Sequence, residues 1–265
     1  MQESDMLRCL PFLKDAQLMT NGAGVIPLSI QREYYDEYWR THALHLNVAE
    51  VLRLAEILKA IALVMPTFKG GGIRICDLGS GRGWLSAELA KFGSVTAVDL
   101  SPAAVSAATQ RWPQVRFLQA DILNWRPKEC FDLVVTSEVI EHVPDHKKFQ
   151  ETVSFLLREG GYLILTTPNG SVKKAWDVGN QGTQIIENWL TRKQLRRLFD
   201  AFEVLGHKVF FLDFSYVGLF RVASAPKLLK LLGTMGLIRI YDLARELLGM
   251  GLYQVFVGKF PKSRS

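Results

Sequence analysis

ICDLGSGRGW, residues 75–84, decides how this chain is read. Ile75, Cys76 and Leu78 make an apolar run broken by one acid, Asp77; Gly79, Gly81 and Gly83 follow, and Trp84 opens a helical stretch. A strand that enters a helix through such a turn needs residues without Cβ, because the backbone must turn sharply and approach a ligand closely. The dinucleotide fingerprint G-x-G-x-x-G would place its third glycine at the sixth position, and counting from Gly79 that position is Trp84. The third glycine comes one place early, which leaves a nicotinamide oxidoreductase as a minor alternative.

Outward from this turn, β-rich runs alternate with helical ones. IRICDLG (73–79), SVTAVDL (94–100), VRFLQAD (115–121), FDLVVTS (131–137) and GYLILTT (161–167) read as strands, and 84–92, 102–111 and 145–158 as helices. That rhythm predicts a parallel sheet with helices on both faces. Upstream, residues 31–65 read as one or two helices, with Leu46, Val51, Leu54, Leu58 and Ile61 on the apolar stripe and Pro66 as a stop. Downstream, a loop at 169–184 leads to a helix at 191–200 that starts at the N-cap Thr191, then to strands at 202–212 and 251–260. The segment 213–250 between those strands is too long for a hairpin turn, and an inserted helical subdomain is expected.

Composition agrees with one globular unit. Of 265 residues, 48% are hydrophobic and 22% charged, which excludes disordered, collagen-like and coiled-coil classes. Cys9, Cys76 and Cys130 have no metal-like spacing, so free thiols in a reducing compartment are expected. The first residues are acidic where a signal peptide is basic, and no run has the length of a membrane span, so the expected location is the cytoplasm. The net charge of +6 is uneven, for residues 191–265 carry 13 Lys and Arg against 5 Asp and Glu. A solvated basic face, the commonest source of such a bias, an acidic substrate, nucleic acid or an anionic membrane each accounts for it.

The rest of the constellation separates the candidate functions. Asp99 ends the second strand, 20 residues after Gly79, where a carboxylate can accept both hydroxyls of a ribose. Ala120-Asp121-Ile122 follows the third strand, and the fourth runs into Ser137-Glu138-Val139-Ile140-Glu141-His142-Val143-Pro144-Asp145. Leu157, Gly160 and Gly161 lead into the fifth. With these motifs in order, residues 73–169 resemble the core of a class I S-adenosylmethionine-dependent methyltransferase, and EVIEHVPD with LILTTPN is most similar to the ubiquinone-biosynthesis O-methyltransferase subgroup.

The resemblance implies a doubly wound, Rossmann-like α/β fold with a seven-stranded sheet whose last strand is antiparallel. It implies an N-terminal helical cap (1–68), a methyltransferase core (69–212) completed by the last strand and tail (251–265), and the helical insertion 213–250. S-adenosylmethionine is the implied cofactor. Gly79 and Gly81 would meet its methionine portion, Asp77 its amino group, Asp99 its ribose, and Asp121 with Ile122 its adenine; Ser80, Leu100 and Ser137 complete the set. For Gly83 and Asp121 the alternatives are helix packing and a strand-end cap.

The implied activity is methyl transfer to a small, apolar acceptor, with oxygen as the favoured atom. Nitrogen or carbon acceptors, RNA ribose methylation and a non-catalytic cofactor-binding sensor or partner subunit are alternatives. Nucleic acid is disfavoured, since Ser137-Glu138-Val139-Ile140 lacks the Pro-Pro-aromatic segment of base-nitrogen methyltransferases. His142 is the candidate base, with capping or cofactor orientation as its other reading. Glu138, Glu141 and His142 also resemble a divalent-metal site of some relatives, but Gln184 stands where a further His is expected, with Glu187 nearby, so a metal is not favoured. Tyr34, Tyr35, Tyr38 and Trp39 read either as an entry helix over the cofactor or as core. Residues 213–250, with Lys227, Lys230 and Arg239 among Leu and Ile, read as a lid over an apolar acceptor or as a peripheral membrane contact.

Overall fold

The computed structural model describes residues 26–41, 47–68, 70, 72–176, 184–210, 226–237, 239–241, 244 and 249–262. Helices α1 (Leu28–Thr41) and α2 (Val48–Val64) precede strand β1 (Ile73–Leu78). Then follow α3 (Trp84–Leu89), β2 (Gly93–Asp99), α4 (Pro102–Arg111), β3 (Arg116–Gln119) and β4 (Phe131–Ser137). The chain continues through α5 (His146–Leu156), β5 (Leu157–Pro168), α6 (Gly170–Trp176), α7 (Arg192–Leu198), β6 (Glu203–Phe210), α8 (Pro226–Thr234) and β7 (Tyr253–Lys259).

The seven strands form one sheet in the order β3-β2-β1-β4-β5-β7-β6. Pairs β1 to β5 are parallel, and β7 runs antiparallel to both of its neighbours, as expected. Strand order reverses between β1 and β4, the switch point at which connections leave to opposite faces and a crevice opens at the carboxyl ends. One face of the sheet is covered around Phe149, Val153, Leu156, Leu195 and Phe199, the other around Ile57, Ile61, Val64, Leu85 and Leu89, all buried. Strands buried on both faces read as continuous apolar runs, which is why β4 is legible as FDLVVTS.

Several helix starts follow local chemistry. Asn47 and Glu50 form a capping box on α2, Ser101 caps α4 ahead of Pro102, and Thr191 caps α7 with Gln194 completing the box. Pro66 stands in the 3-10 turn Met65–Thr67 that ends α2.

Four expectations are corrected. The buried stripe of α2 is Glu56, Ile57, Ala60, Ile61 and Val64, whereas Val51 is exposed, and Leu46 lies outside the described residues. The helix is apolar on nearly all sides, so its inner face is set by what packs on it. Strand β5 begins at Leu157 rather than 161: Phe131 pairs with Leu157, a register shift follows, and Gly160 and Gly161 lie inside the strand. Residues 170–176 of the expected loop are helical, because the Asn169 carbonyl accepts from Val172 and Lys173 N–H and its side chain from Ser171 N–H. Finally, α3 is shorter than 84–92, ending at Leu89. Within 213–250, α8 agrees with a helical insertion; 213–225 lies outside the described residues.

Candidate functional site

The site grows from the end of β1. Asp77 is buried there and accepts a hydrogen bond from the Ser86 hydroxyl of α3 at 2.5 Å. Burial pushes its carboxyl up to about 7 against that hydrogen bond. The next residues turn with positive φ at Gly79 (82°), Gly81 (50°) and Gly83 (76°). Gly79 and Ser80 N–H both donate to the Val98 carbonyl, which ties the turn to β2. A Cβ on Gly79 would stand 2.3 Å from Val139 and one on Gly81 2.6 Å from Trp39, so both positions require glycine for space as well as conformation. At Gly83 a Cβ would meet Phe117 and Ala108; this glycine lets α4 and β3 approach, the packing alternative.

Asp99 closes β2 with its carboxylate between two backbone donors, Gly81 N–H at 2.7 Å and Ser101 N–H at 2.9 Å. Burial raises its pKa while these hydrogen bonds oppose the shift. Asp121 follows β3 and accepts from Leu123 N–H at 3.0 Å, so it is a turn-former that also faces the crevice. Ser137 ends β4, its hydroxyl 2.8 Å from that of Thr166 on β5.

One cavity of about 620 Å³ gathers these positions. Asp77, Gly79, Ser80, Gly81, Asp99, Leu100, Asp121, Ile122, Ser137, Glu138, Glu141 and His142 all line it, so the geometry brings every expected site residue to one crevice at the switch point. The buried Ser80 hydroxyl has no hydrogen-bond partner, a donor left available beside the glycine turn.

The N-terminal helix roofs the cavity. Tyr34 is core, 1% exposed, whereas Tyr35, Tyr38 and Trp39 line the cavity, so the aromatic cluster is divided between both readings. The Tyr35 hydroxyl is buried without a partner, and burial lifts its pKa well above the ordinary value. The Arg82 guanidinium donates to the Trp39 carbonyl and holds the roof over the turn.

Past β4, Glu138 takes the left-handed φ of 58°, two residues before the 3-10 turn Ile140–His142. Strain of that kind, about 1–3 kcal/mol, persists where surrounding structure enforces it, and it gathers at functional sites. Glu138 Oε2 lies 3.5 Å from Arg53 Nη1 of α2, and burial raises its carboxyl to about 8 with Arg53 opposing. Glu141 Oε2 accepts from the Thr167 hydroxyl at 2.9 Å, and burial raises it to about 7.

His142 Nδ1 sits 2.9 Å from the Ile186 carbonyl. A carbonyl only accepts, so the proton belongs on Nδ1 and the lone pair on Nε2. Burial lowers the imidazole pKa, so the ring is neutral at pH 7. His207, further along on β6, bonds Gln254 instead.

Among the described residues, no group of three His, Cys, Asp or Glu side chains is arranged to hold a metal ion. Glu138 faces Arg53, Glu141 accepts from Thr167 with its other oxygen 3.8 Å from His142 Nε2, and Gln184 N–H donates to Glu187 at the place expected for a further His. The donor set of Glu138, Glu141 and His142 does not fit a metal in this arrangement, and no step is derived through one.

Among the cavity residues that the sequence does not single out are Arg53, Trp189 and Tyr253. Arg53 had a signal, since it stands one turn before Ile57 of the buried stripe. Tyr253 had none, because the place of β7 in the sheet is not local information.

Residues 39–204 match the methyltransferase domain family, and the chain belongs to that family. Among its relatives, ubiquinone biosynthesis O-methyltransferase of Paramagnetospirillum magneticum is 33% identical over 126 residues, 46% of this chain and 50% of the relative. Malonyl-[acyl-carrier protein] O-methyltransferase of Paenibacillus sp. is 30% identical over 150 residues, 52% of this chain and 54% of the relative. The chain thus matches about half the length of these curated relatives. The fold is shared with the N-methyltransferase NodS from Bradyrhizobium japonicum in complex with S-adenosyl-L-homocysteine, at TM-score 0.59 and 16% identity over 86% of this chain and 100% of that one.

Proposed function

We propose that this protein is an S-adenosylmethionine-dependent methyltransferase acting at an oxygen atom of a small acceptor with an apolar body. The observation that carries the reading is the convergence at one switch-point crevice of the glycine turn, the Asp99 carboxylate beside Gly81 and Ser101, and Asp121. Asp99 would take the ribose hydroxyls, Asp77 the ammonium group, the Gly79–Gly81 backbone the methionine chain, and Asp121 with Ile122 the adenine. Glycines that no Cβ could replace, and a partnerless Ser80 hydroxyl, fit a ligand laid against that backbone.

Methyl transfer from a sulfonium is a displacement in which the carbon–sulfur bond breaks as the carbon–oxygen bond forms, leaving a neutral thioether. The protein's work is to align the reactants and exclude water. Tyr35, Tyr38, Trp39 and Trp189 supply the apolar walls that support an acceptor with an apolar body. His142 Nε2 would take the proton that the acceptor hydroxyl loses. Oxygen is favoured because the two curated relatives named above are O-methyltransferases.

Calorimetric titration with S-adenosylhomocysteine tests the reading, with micromolar or tighter binding as the expected result. No binding would remove it; binding without turnover across a panel of hydroxyl, carboxyl and amine acceptors would favour a cofactor-binding sensor. Peripheral membrane contact through 213–250 is proposed from exposed Leu231, Met235 and Ile240 with exposed Lys230 and Arg239. Cosedimentation with anionic vesicles, reversed by salt, checks it. No described helix is long and apolar enough to cross a membrane.

A further inference from the structure

We infer that Arg53 is the acceptor-reading residue of this cavity and that it selects acceptors carrying a carboxylate. The inference rests on the methyltransferase reading and names the substrate class of that site. Arg53 projects from α2 to the cavity wall, with its side chain 13% exposed and its Nε buried without a hydrogen-bond partner. Its guanidinium lies over the Tyr253 ring, 5.2 Å from the centroid. A guanidinium attracted to an aromatic face is restrained in place, with N–H groups left to present to a planar anion.

A buried guanidinium stays charged and calls for a counter-charge. The carboxylates near it are committed elsewhere. Glu50 accepts from Asn47 N–H in the α2 cap, and Glu141 from the Thr167 hydroxyl. Glu138 is the one ion-pair partner among the described residues, at 3.5 Å and with its Oε1 unpartnered. The arginine thus keeps its charge beside Glu138, with Glu50 and Glu141 adding to its stabilisation, while its Nε–H stays without an acceptor. A carboxylate on the ligand would supply an acceptor for Nε–H, in the two-point geometry that arginine suits.

The donor's own methionine carboxylate is the other source of such a group, and the test separates the two. The protein is saturated with S-adenosylhomocysteine, then titrated with benzoate and with its neutral isostere benzamide. Expected is a preference for benzoate of about tenfold, the scale of a charge-assisted hydrogen bond. Arg53→Gln should abolish that preference while S-adenosylhomocysteine affinity stays within about twofold, and Arg53→Lys should retain part of it, because a point charge survives without the fork. Equal binding of the two probes to the saturated wild-type protein would overturn the inference without needing any variant. A folded Arg53→Gln protein that loses S-adenosylhomocysteine would also overturn it, by assigning the guanidinium to the donor. If the wild-type protein fails to bind S-adenosylhomocysteine at all, the methyltransferase reading itself falls first.

Discussion

Asp36 caps a helix to which it does not belong. From α1 its Oδ1 accepts from the Ser101 hydroxyl at 3.0 Å and from Ala103 N–H at 2.7 Å, both at the start of α4. Ser101 is also the residue whose N–H holds Asp99. The roof of the cavity and the expected ribose carboxylate therefore share one residue, and ordering either favours the other.

Replacing Asp36 by Ala should cost about 1 kcal/mol of stability, the usual value of a cap, and weaken S-adenosylhomocysteine binding several-fold as the roof loosens. Thermal melting and calorimetry read the two effects. Unchanged binding in a destabilised protein would show that the roof is fastened to α4 without serving the ligand.

Asp99→Ala should weaken S-adenosylhomocysteine binding by about 1–3 kcal/mol, the range for hydrogen bonds to a charged group. Titration of the folded variant decides this. Wild-type affinity would take Asp99 out of the binding site.

Asp77 makes stability pH-dependent in a defined direction. A carboxyl ordinarily near 3.9 that titrates at about 7 when folded binds its proton more tightly in the folded chain. Its contribution is fully present below about pH 4 and is lost as pH rises through about 7. Asp77→Asn removes this slope, so urea titrations between pH 5 and pH 8 should show wild type losing stability relative to the variant as pH rises. Parallel curves would place the Asp77 pKa near its ordinary value.

His142→Ala should lower turnover by about 10²–10⁴-fold, the range for a positioned general base, while S-adenosylhomocysteine affinity holds. Because burial lowers its pKa, the proton-accepting form persists as pH falls, so wild-type turnover should show no loss of this base from pH 8 down to pH 7. Full activity in the variant would reduce His142 to a support for the Ile186 loop.

The sequence itself determined the local pieces. Gly79, Gly81 and Gly83 adopt the positive φ that their lack of Cβ permits, Thr191 and Gln194 form the box that their spacing allows, and β4 spans the run read for it. These are short-range consequences of covalent geometry and periodicity. From the same signals the site was legible as a set of strand-end residues, because a parallel sheet delivers its carboxyl ends to one edge.

Tertiary structure decided what depends on distant partners. Leu157–Gly161 is strand because Phe131 and the tail beyond β7 pair with it, with Gly160 N–H donating to the Phe260 carbonyl, although its sequence reads as a helix end and turn. The inner face of α2 is chosen by the sheet it packs on. Arg53 joins Glu138 and Tyr253 from three separate elements, about 85 residues apart at the first step and 115 at the second. Burial, charge compensation and cavity shape arise only when such elements meet, so no local pattern carries them.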